Sequence, residues 1–356
     1  MLDGAEGAKP VGQDSTGPRP GGGWVRQILP AAGTTVTIRW RRGALVAWAV
    51  SLVGFCWVRG LPLDRATQTL WILSLLFAAS IGRPWAARSR ILLDWLPFVG
   101  FLYLYDYTRG LASWVGMPVH VDEAAALDKV IGAGQVPTVR LQHALFDPTH
   151  VRWYDIVVSL TYFTHFFLVW IIAAVLYLRS RAQWAAWARR LLVLSYAGLV
   201  TFIVYPAAPP WYAAQRGVIA PVSRIASRGW DTLGLHITGA LIQQGQAASN
   251  DVAAIPSLHG GFPLLVTVFF WRRSPVWLRT LMVAYTAMMA FSLVYAGEHY
   301  VVDILIGYVY VAATMLAVTW WERRRGHAIA GQAGRTDEQS HSSCPSADQL
   351  ADTGPV

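Results

Sequence analysis

Between Ile156 and Leu178 the chain reads IVVSLTYFTHFFLVWIIAAVLYL, without one Asp, Glu, Lys or Arg. A helix needs about 20 residues to cross the hydrocarbon core of a bilayer, so this run spans it alone. Trp153 and Tyr154 precede it and Arg179 and Arg181 follow it, as expected of residues at the two membrane surfaces. The rest of the chain agrees with that reading. Of 356 residues, 54% are hydrophobic and only 14% charged, where soluble domains carry about a quarter charged. The 18 Trp and 14 Tyr suit a protein with two membrane interfaces.

Working outward from Ile156–Leu178, seven more apolar segments are candidate spans: Ala44–Val58, Leu70–Ile81, Ile91–Tyr105, Leu191–Tyr205, Leu258–Trp271, Val276–Val294 and Tyr300–Trp321. The expectation is an all-α, polytopic membrane helix bundle of about eight transmembrane helices. The basic residues orient it, because Lys and Arg near membrane ends stay on the cytoplasmic side. Arg39, Arg41 and Arg42 precede the first segment, and Arg83, Arg88 and Arg90 follow the second. Arg179, Arg181, Arg189 and Arg190, then Arg272 and Arg273, then Arg323 to Arg325 fall in the gaps of the same parity. All five clusters therefore lie on one face, which places both termini in the cytoplasm and two long loops, about Asp106–Asp155 and Pro206–Pro256, outside. Within those loops Asp122–Val130 and Asp231–Gln243 have helix-compatible patterns, and Trp153, Trp211 and Trp230 are candidate interfacial anchors.

The ends differ in composition. Residues 1–38 form a Gly- and Pro-rich arm and 326–356 a polar tail, neither with enough apolar surface to offset the entropy of ordering. Residues 39–325 then form one membrane domain. The net charge of +9 points to nucleic acid only where a basic, aromatic patch sits on a soluble fold; here it is divided among short Arg clusters, so nucleic acid is not an expected partner. Cys56 lies in an apolar run and Cys344 in the tail, so no disulfide framework is expected. No duplicated pair of broken helices supports a transporter.

Chemistry concentrates at the outer ends of two segments. Pro256-Ser257-Leu258-His259 opens one, and Ser292 to Asp303, SLVYAGEHYVVD, leads into the other. His299 and Asp303 are four apart and share a helix face, so the carboxylate can orient the imidazole. An imidazole oriented in this way is a candidate nucleophile toward phosphorus. Ser257 stands where a helix begins, and the free N–H groups there favour an anion. His259 on the first turn can act as a general acid toward the same anion. Zinc is the chemical rival for the two His and one Asp, but no Cys falls nearby and Glu298 reads as a helix N-terminal residue helped by the dipole, so neither metal nor cofactor is expected. His165, about 15 Å along its helix from the outer face, reads as an interhelical hydrogen-bonder too deep for that site. Asp94 and Asp155, near helix ends, read as water-facing; Asp106 and Arg109 fit a headgroup-binding pair or a surface pair equally. The prolines at 206, 209 and 210 read as helix terminators.

These motifs resemble the type 2 phosphatidic acid phosphatase superfamily, whose second motif is PSGH and third SR-x5-H-x3-D. Here PSLH lies forty positions before His299, and Ser292, His299 and Asp303 fall in register. The tract Tyr205-Pro206-Ala207-Ala208-Pro209-Pro210 and the GEHYVVD wording are most similar to the branch near fungal inositol phosphorylceramide synthases. The resemblance implies that His299 is the nucleophile, Asp303 its orienting partner and His259 the acid on the leaving group. It also implies that Ser257 and Ser292 assist substrate binding. Two departures stand out: Leu293 replaces the motif Arg, and the first motif, K-x6-RP, has no match. The phosphate-binding cation is then sought among Arg216, Arg224 and Arg228, with Arg109 and Arg140 behind them; Arg216, six residues beyond Pro210, ranks first.

The expected function is a membrane lipid phosphatase cleaving a lipid-linked phosphate ester at the extracytoplasmic face of the cell membrane. Water is favoured as acceptor because it needs no second binding site. The alternatives are a lipid phosphotransferase, moving a phosphoryl or phosphoinositol-type headgroup to an alcohol, and a non-catalytic lipid-binding membrane protein. The expected partners are a phosphorylated lipid and the membrane; protein partners are not specified.

Overall fold

The computed structural model describes residues 35–111, 115–235, 238–241 and 250–342. Among them the fold is all-α, without strands; two isolated parallel bridges join His120 to Ala207 and Ala207 to Ala253. In chain order the helices are α1 (Thr35–Arg59), α2 (Arg65–Ala79), α3 (Trp85–Leu111), α4 (Asp122–Ile131), α5 (Pro137–Leu145) and α6 (Trp153–Arg179). They continue as α7 (Arg181–Val204), the short α8 (Pro210–Gln215), a single turn α9 (Gly229–Thr232), α10 (Leu258–Phe270), α11 (Val276–Tyr295) and α12 (Val301–Ser342).

Local chemistry sets the boundaries. Asp64 accepts the N–H of Thr67 to start α2, and Ser180 accepts that of Gln183 to start α7 one residue after α6 ends. These side chains satisfy N–H groups that have no partner within the helix. Val204 ends α7 just before the proline tract, and Pro210 begins α8 at its first turn, where a missing N–H is no loss. The prolines therefore both stop one helix and start another. The expected helix at Asp122–Val130 is α4, whereas α5 was not foreseen; the expected Asp231–Gln243 helix lies partly outside the described residues.

The expected spans all map onto helices, but not all of those helices are long enough to cross a bilayer. Five stretches of described residues are long and apolar enough: Thr37–Arg59, Trp153–Arg179, Arg181–Val204, Val276–Tyr295 and Val301–Arg325. The 15-residue α2 and 13-residue α10 fall short of the roughly 30 Å hydrocarbon core at 1.5 Å per residue. In α3, Arg88, Arg90, Asp94 and Asp106 interrupt the apolar run. The last helix continues to Ser342, past residue 326 where the sequence turns polar.

Packing is uneven. One core joins α3, α6, α7 and α10 through Trp95, Phe98, Trp170, Trp187, Leu194 and Leu265. A second wraps Tyr162, Trp230, Leu293 and Tyr295 between α6, α11 and the segment near α9. Trp230, only 1% exposed, stacks edge-on to Phe163 at 4.7 Å, and Trp211 is buried too. Neither serves as an interfacial anchor; Trp153, fully on the surface, keeps that possibility. A third small core lies over the ends of α10 and α12, where Ala125, Val139, Ala207, Ala254 and Tyr300 meet.

Candidate active site

Ser257 begins the site. Its side chain accepts the N–H of Gly260 at 3.2 Å, capping α10, which leaves the first-turn N–H groups of Leu258 and His259 without intrahelical acceptors. Its own N–H donates to the backbone carbonyl of Asp303 at 3.0 Å, tying the start of α10 to the first turn of α12. The two backbones approach so closely there that a Cβ on Gly307 would meet the Ser257 carbonyl oxygen at 2.5 Å. Only glycine fits at that crossing.

The same contact aligns the three predicted groups. His299 Nε2 lies 3.4 Å from His259 Nδ1, and His299 Nδ1 lies 3.4 Å from Asp303 Oδ2. Asp303 Oδ2 also accepts the N–H of Tyr300 at 2.9 Å. Asp303 is fully buried and His299 only 6% exposed; the carboxylate faces one imidazole nitrogen at ion-pair distance, and the other nitrogen faces His259. The turn before His299 depends on Gly297 at φ +76°, whose missing side chain makes room for Val222 and the Ser223 carbonyl.

A third histidine belongs here. His165 stacks on His259 with ring centroids 3.9 Å apart, and Tyr162 stacks on the same ring at 5.2 Å. His165 is therefore not too deep for the site, because His259 does not lie at the outer end of α6. The site is itself sunk between α6 and α10, at the level of the third and fourth turns of α6. The i, i+3 spacing of Tyr162 and His165 was the only signal available in the sequence.

The cation beside His299 is Arg224. It donates to Glu298 through Nε at 2.9 Å and Nη2 at 3.1 Å, and its guanidinium lies 4.8 Å from the Trp211 ring centroid. Burial pulls the Arg224 pKa down, but the hydrogen bonds and attraction of Glu298 outweigh it, so the net shift is upward and the group stays charged. Gln142 on α5 fixes this segment by donating to the carbonyls of Ser223 and Tyr295, both at 2.8 Å, and accepting the Ser223 N–H at 2.9 Å.

Arg216, ranked first from the sequence, folds back onto Tyr212, 2.8 Å from its hydroxyl and exposed; it does not line the cavity. Arg228 covers Phe146, Arg140 donates to the Gly132 carbonyl, and the Arg109 side chain lies outside the described residues. Ser292 is fully buried in α11 with its hydroxyl unpartnered and is absent from the cavity wall. Leu293 packs in the second core at 0% exposure, among apolar side chains. Asp94 and Asp155 do not simply face water. Asp94 binds Arg181 and Tyr177; Asp155, 2% exposed, accepts the Tyr295 hydroxyl and the Arg152 N–H. Asp106 pairs with Arg65, and the expected Asp106–Arg109 pairing lies outside the described residues.

His259, His299, Arg224 and Glu298 line one end of a cavity of about 940 Å³. From there it runs along Phe98, Leu102, Phe166, Val169, Trp170 and Phe262 to Arg65 and Asp106. A polar end joined to an apolar gallery fits an amphiphile. An imidazole facing a buried carboxylate, a second imidazole 3.4 Å from it and a guanidinium lining the same cavity are the groups that phosphoryl chemistry needs.

Comparisons with known proteins agree. The family model described as PAP2 superfamily matches residues 139–317. The phosphoinositol dihydroceramide synthase of Bacteroides thetaiotaomicron is 23% identical over 293 residues, 78% of this chain and 89% of that protein. The inositol phosphorylceramide synthase catalytic subunit of Saccharomyces cerevisiae is 25% identical over 244 residues, 67% of this chain and 59% of that protein. No solved structure matches.

Proposed function

The chain belongs to the PAP2 superfamily and is a membrane lipid phosphatase or phosphotransferase; from that premise we propose that it is the transferase. In this reading it moves a phosphorylated headgroup, of the phosphoinositol kind, from a donor lipid to the hydroxyl of a second amphiphile. The sequence alone favoured water as acceptor. Both relatives are named as synthases of such products, and the gallery beside the histidines is lined by Phe98, Phe166, Trp170 and Phe262, which favours amphiphiles over bulk water.

His299 is the nucleophile. Asp303 holds Nδ1, so Nε2 carries the lone pair that attacks phosphorus. His259 protonates the leaving alcohol and then takes the proton of the acceptor hydroxyl as that oxygen displaces His299. The 3.4 Å between the rings leaves no room for a phosphoryl group, so His259 must rotate away when substrate enters. Arg224 and the first-turn N–H groups of α10 supply positive charge to the phosphoryl oxygens, in place of the motif Arg absent at Leu293. Glu298 must then yield its hold on Arg224 to the substrate. His165 and Tyr162, both stacked on His259, limit the directions in which that ring can turn.

The observation that carries the reading is His299 held between Asp303 and His259 at the polar end of an apolar cavity. Purified protein in detergent with EDTA, given a phosphoinositol lipid and a short-chain ceramide-type alcohol, should form the transfer product, and His299→Ala should not. Phosphate release with no transfer to any alcohol would return the reading to a phosphatase. Loss of activity with EDTA would sink the metal-free mechanism.

For topology we infer eight membrane segments, both termini in the cytoplasm and the site facing outward, with α2 and α10 completing their crossings through flanking residues. A periplasmic reporter fused after Gly217 should be active and one after Arg181 silent; the reverse pattern would overturn the orientation.

A further inference from the structure

At the end of α10 opposite His259, the helix closes in a short 3-10 turn, Trp271–Arg273. Beside it lies a second hollow of about 1160 Å³, between that turn and α12. Its walls are Val268, Phe269, Met315, Leu316 and Ala317, and its rim carries Arg272, Arg273 and Arg323 with Trp271 and Trp320. No Asp or Glu lines it. Among the described residues none of the three arginines has an ion pair; the one carboxylate nearby in sequence, Glu322, is held by Arg189 and Arg190 at 2.5 and 2.8 Å. Arg273 rests 5.6 Å from the Phe269 ring centroid, and all three arginines are exposed.

Three like charges around one hollow repel one another. The C-terminal carbonyls of α10 offset only about half a unit of charge. The arrangement is therefore complementary to an anion from outside the chain. That anion must also carry apolar chains, since the floor is aliphatic and aromatic. The exposed Trp271 and Trp320 mark this level as a membrane interface, and basic pockets between membrane helices at that level suit acidic headgroups. We propose that this hollow is a binding site for an anionic phospholipid of the leaflet opposite the active site. Its phosphate is held by Arg272, Arg273 and Arg323, and its acyl chains lie along Val268, Met315 and Leu316. Because α10 and α12 carry His259 and Asp303 at their other ends, a lipid seated here braces the pair of helices whose crossing sets the catalytic geometry.

The test is native mass spectrometry of the full chain in detergent, titrated with phosphatidylglycerol or phosphatidylcholine. Wild type should retain one phosphatidylglycerol at least tenfold more tightly than phosphatidylcholine. Arg272→Gln/Arg273→Gln/Arg323→Gln should remove that preference. Arg324→Gln/Arg325→Gln, which lowers the charge of the same leaflet outside the hollow, should change it less than twofold. Equal retention of the two lipids by wild type would overturn the proposal, as would an unchanged preference in the triple variant. An equal loss in the control pair would show that overall charge, and not this hollow, holds the lipid. Displacement of the bound lipid by millimolar inorganic phosphate would mean that the site takes a free anion. Monodispersity on size exclusion, required of each variant, separates loss of the site from loss of the fold.

Discussion

The two ends of the α10–α12 pair handle charge in opposite ways. At the histidine end the cation is matched: Arg224 is paired with Glu298, and the Asp303 carboxylate faces His299. At the other end Arg189 and Arg190 share Glu322, and Arg272, Arg273 and Arg323 have no ion pair among the described residues. An anion reaching the first end must displace a carboxylate, whereas one reaching the second adds to a surplus of cations. The first arrangement suits a substrate that arrives and leaves; the second suits a resident lipid.

The strongest challenge to this contrast is at the matched end. His299→Ala should abolish turnover by about 10⁴-fold or more while leaving the protein folded, because the nucleophile has no substitute. Asp303→Asn should lower kcat by a smaller factor, because the imidazole keeps its place but loses its orienting charge. Turnover by His299→Ala within tenfold of wild type would end the covalent-histidine reading.

A second test uses Asp128 on α4, which is fully buried and accepts the Val302 N–H at 2.9 Å, at the start of α12. Burial pushes its carboxyl up to about 6, against the hydrogen bonds from Val302 and Val301. The unfolded chain ionises near 3.8, so between the two values the folded protein binds more protons than the unfolded. Stability should therefore fall as pH rises from about 4 to about 6 and then level off. The whole effect is at most about 3 kcal/mol, at about 1.4 kcal/mol per pKa unit. Thermal melts of Asp128→Asn should lack this dependence, and identical pH profiles for variant and wild type would refute the assignment.

At the far end, Glu322→Gln leaves Arg190, only 8% exposed, without its carboxylate. The expected loss is about 2 kcal/mol, reduced from that of a fully buried pair because Glu322 and Arg189 are partly exposed. Activity per folded molecule should not change, because Glu322, Arg189 and Arg190 line neither cavity, and a change in KM would mean that this cluster also reaches the site. The smallest effect is expected for Glu298→Gln, which removes the charge competing for Arg224. Its KM for the phosphorylated donor should drop by about tenfold; a rise would show that Glu298 itself contacts substrate.

Which of the motif residues come together was largely legible in the sequence. His259, His299 and Asp303 stand at helix starts with i, i+4 or motif spacing, and short-range spacing survives folding. The cation was not legible, because Arg216, Arg224 and Arg228 are equivalent in sequence. What separates them is Gln142, distant along the chain, which pins the Ser223 carbonyl and so aims Arg224 at Glu298. His165 was missed for a similar reason: one-dimensional depth along α6 says nothing about how far α10 is recessed against it.

The amino-acid sequence by itself determined that this is a helical membrane protein with a histidine–aspartate pair at one helix end. Hydropathy, Arg placement and local spacing are properties of neighbouring residues, and lipid and water act on them directly. Tertiary structure alone decided which of the three loop arginines lines the cavity of the histidines, which serine fills the interior, and that a third histidine stacks on His259. Those outcomes depend on contacts between residues far apart in the chain, such as the Ser257–Asp303 hydrogen bond and the close approach at Gly307. Such contacts arise only when several helices pack together, and no local pattern encodes them.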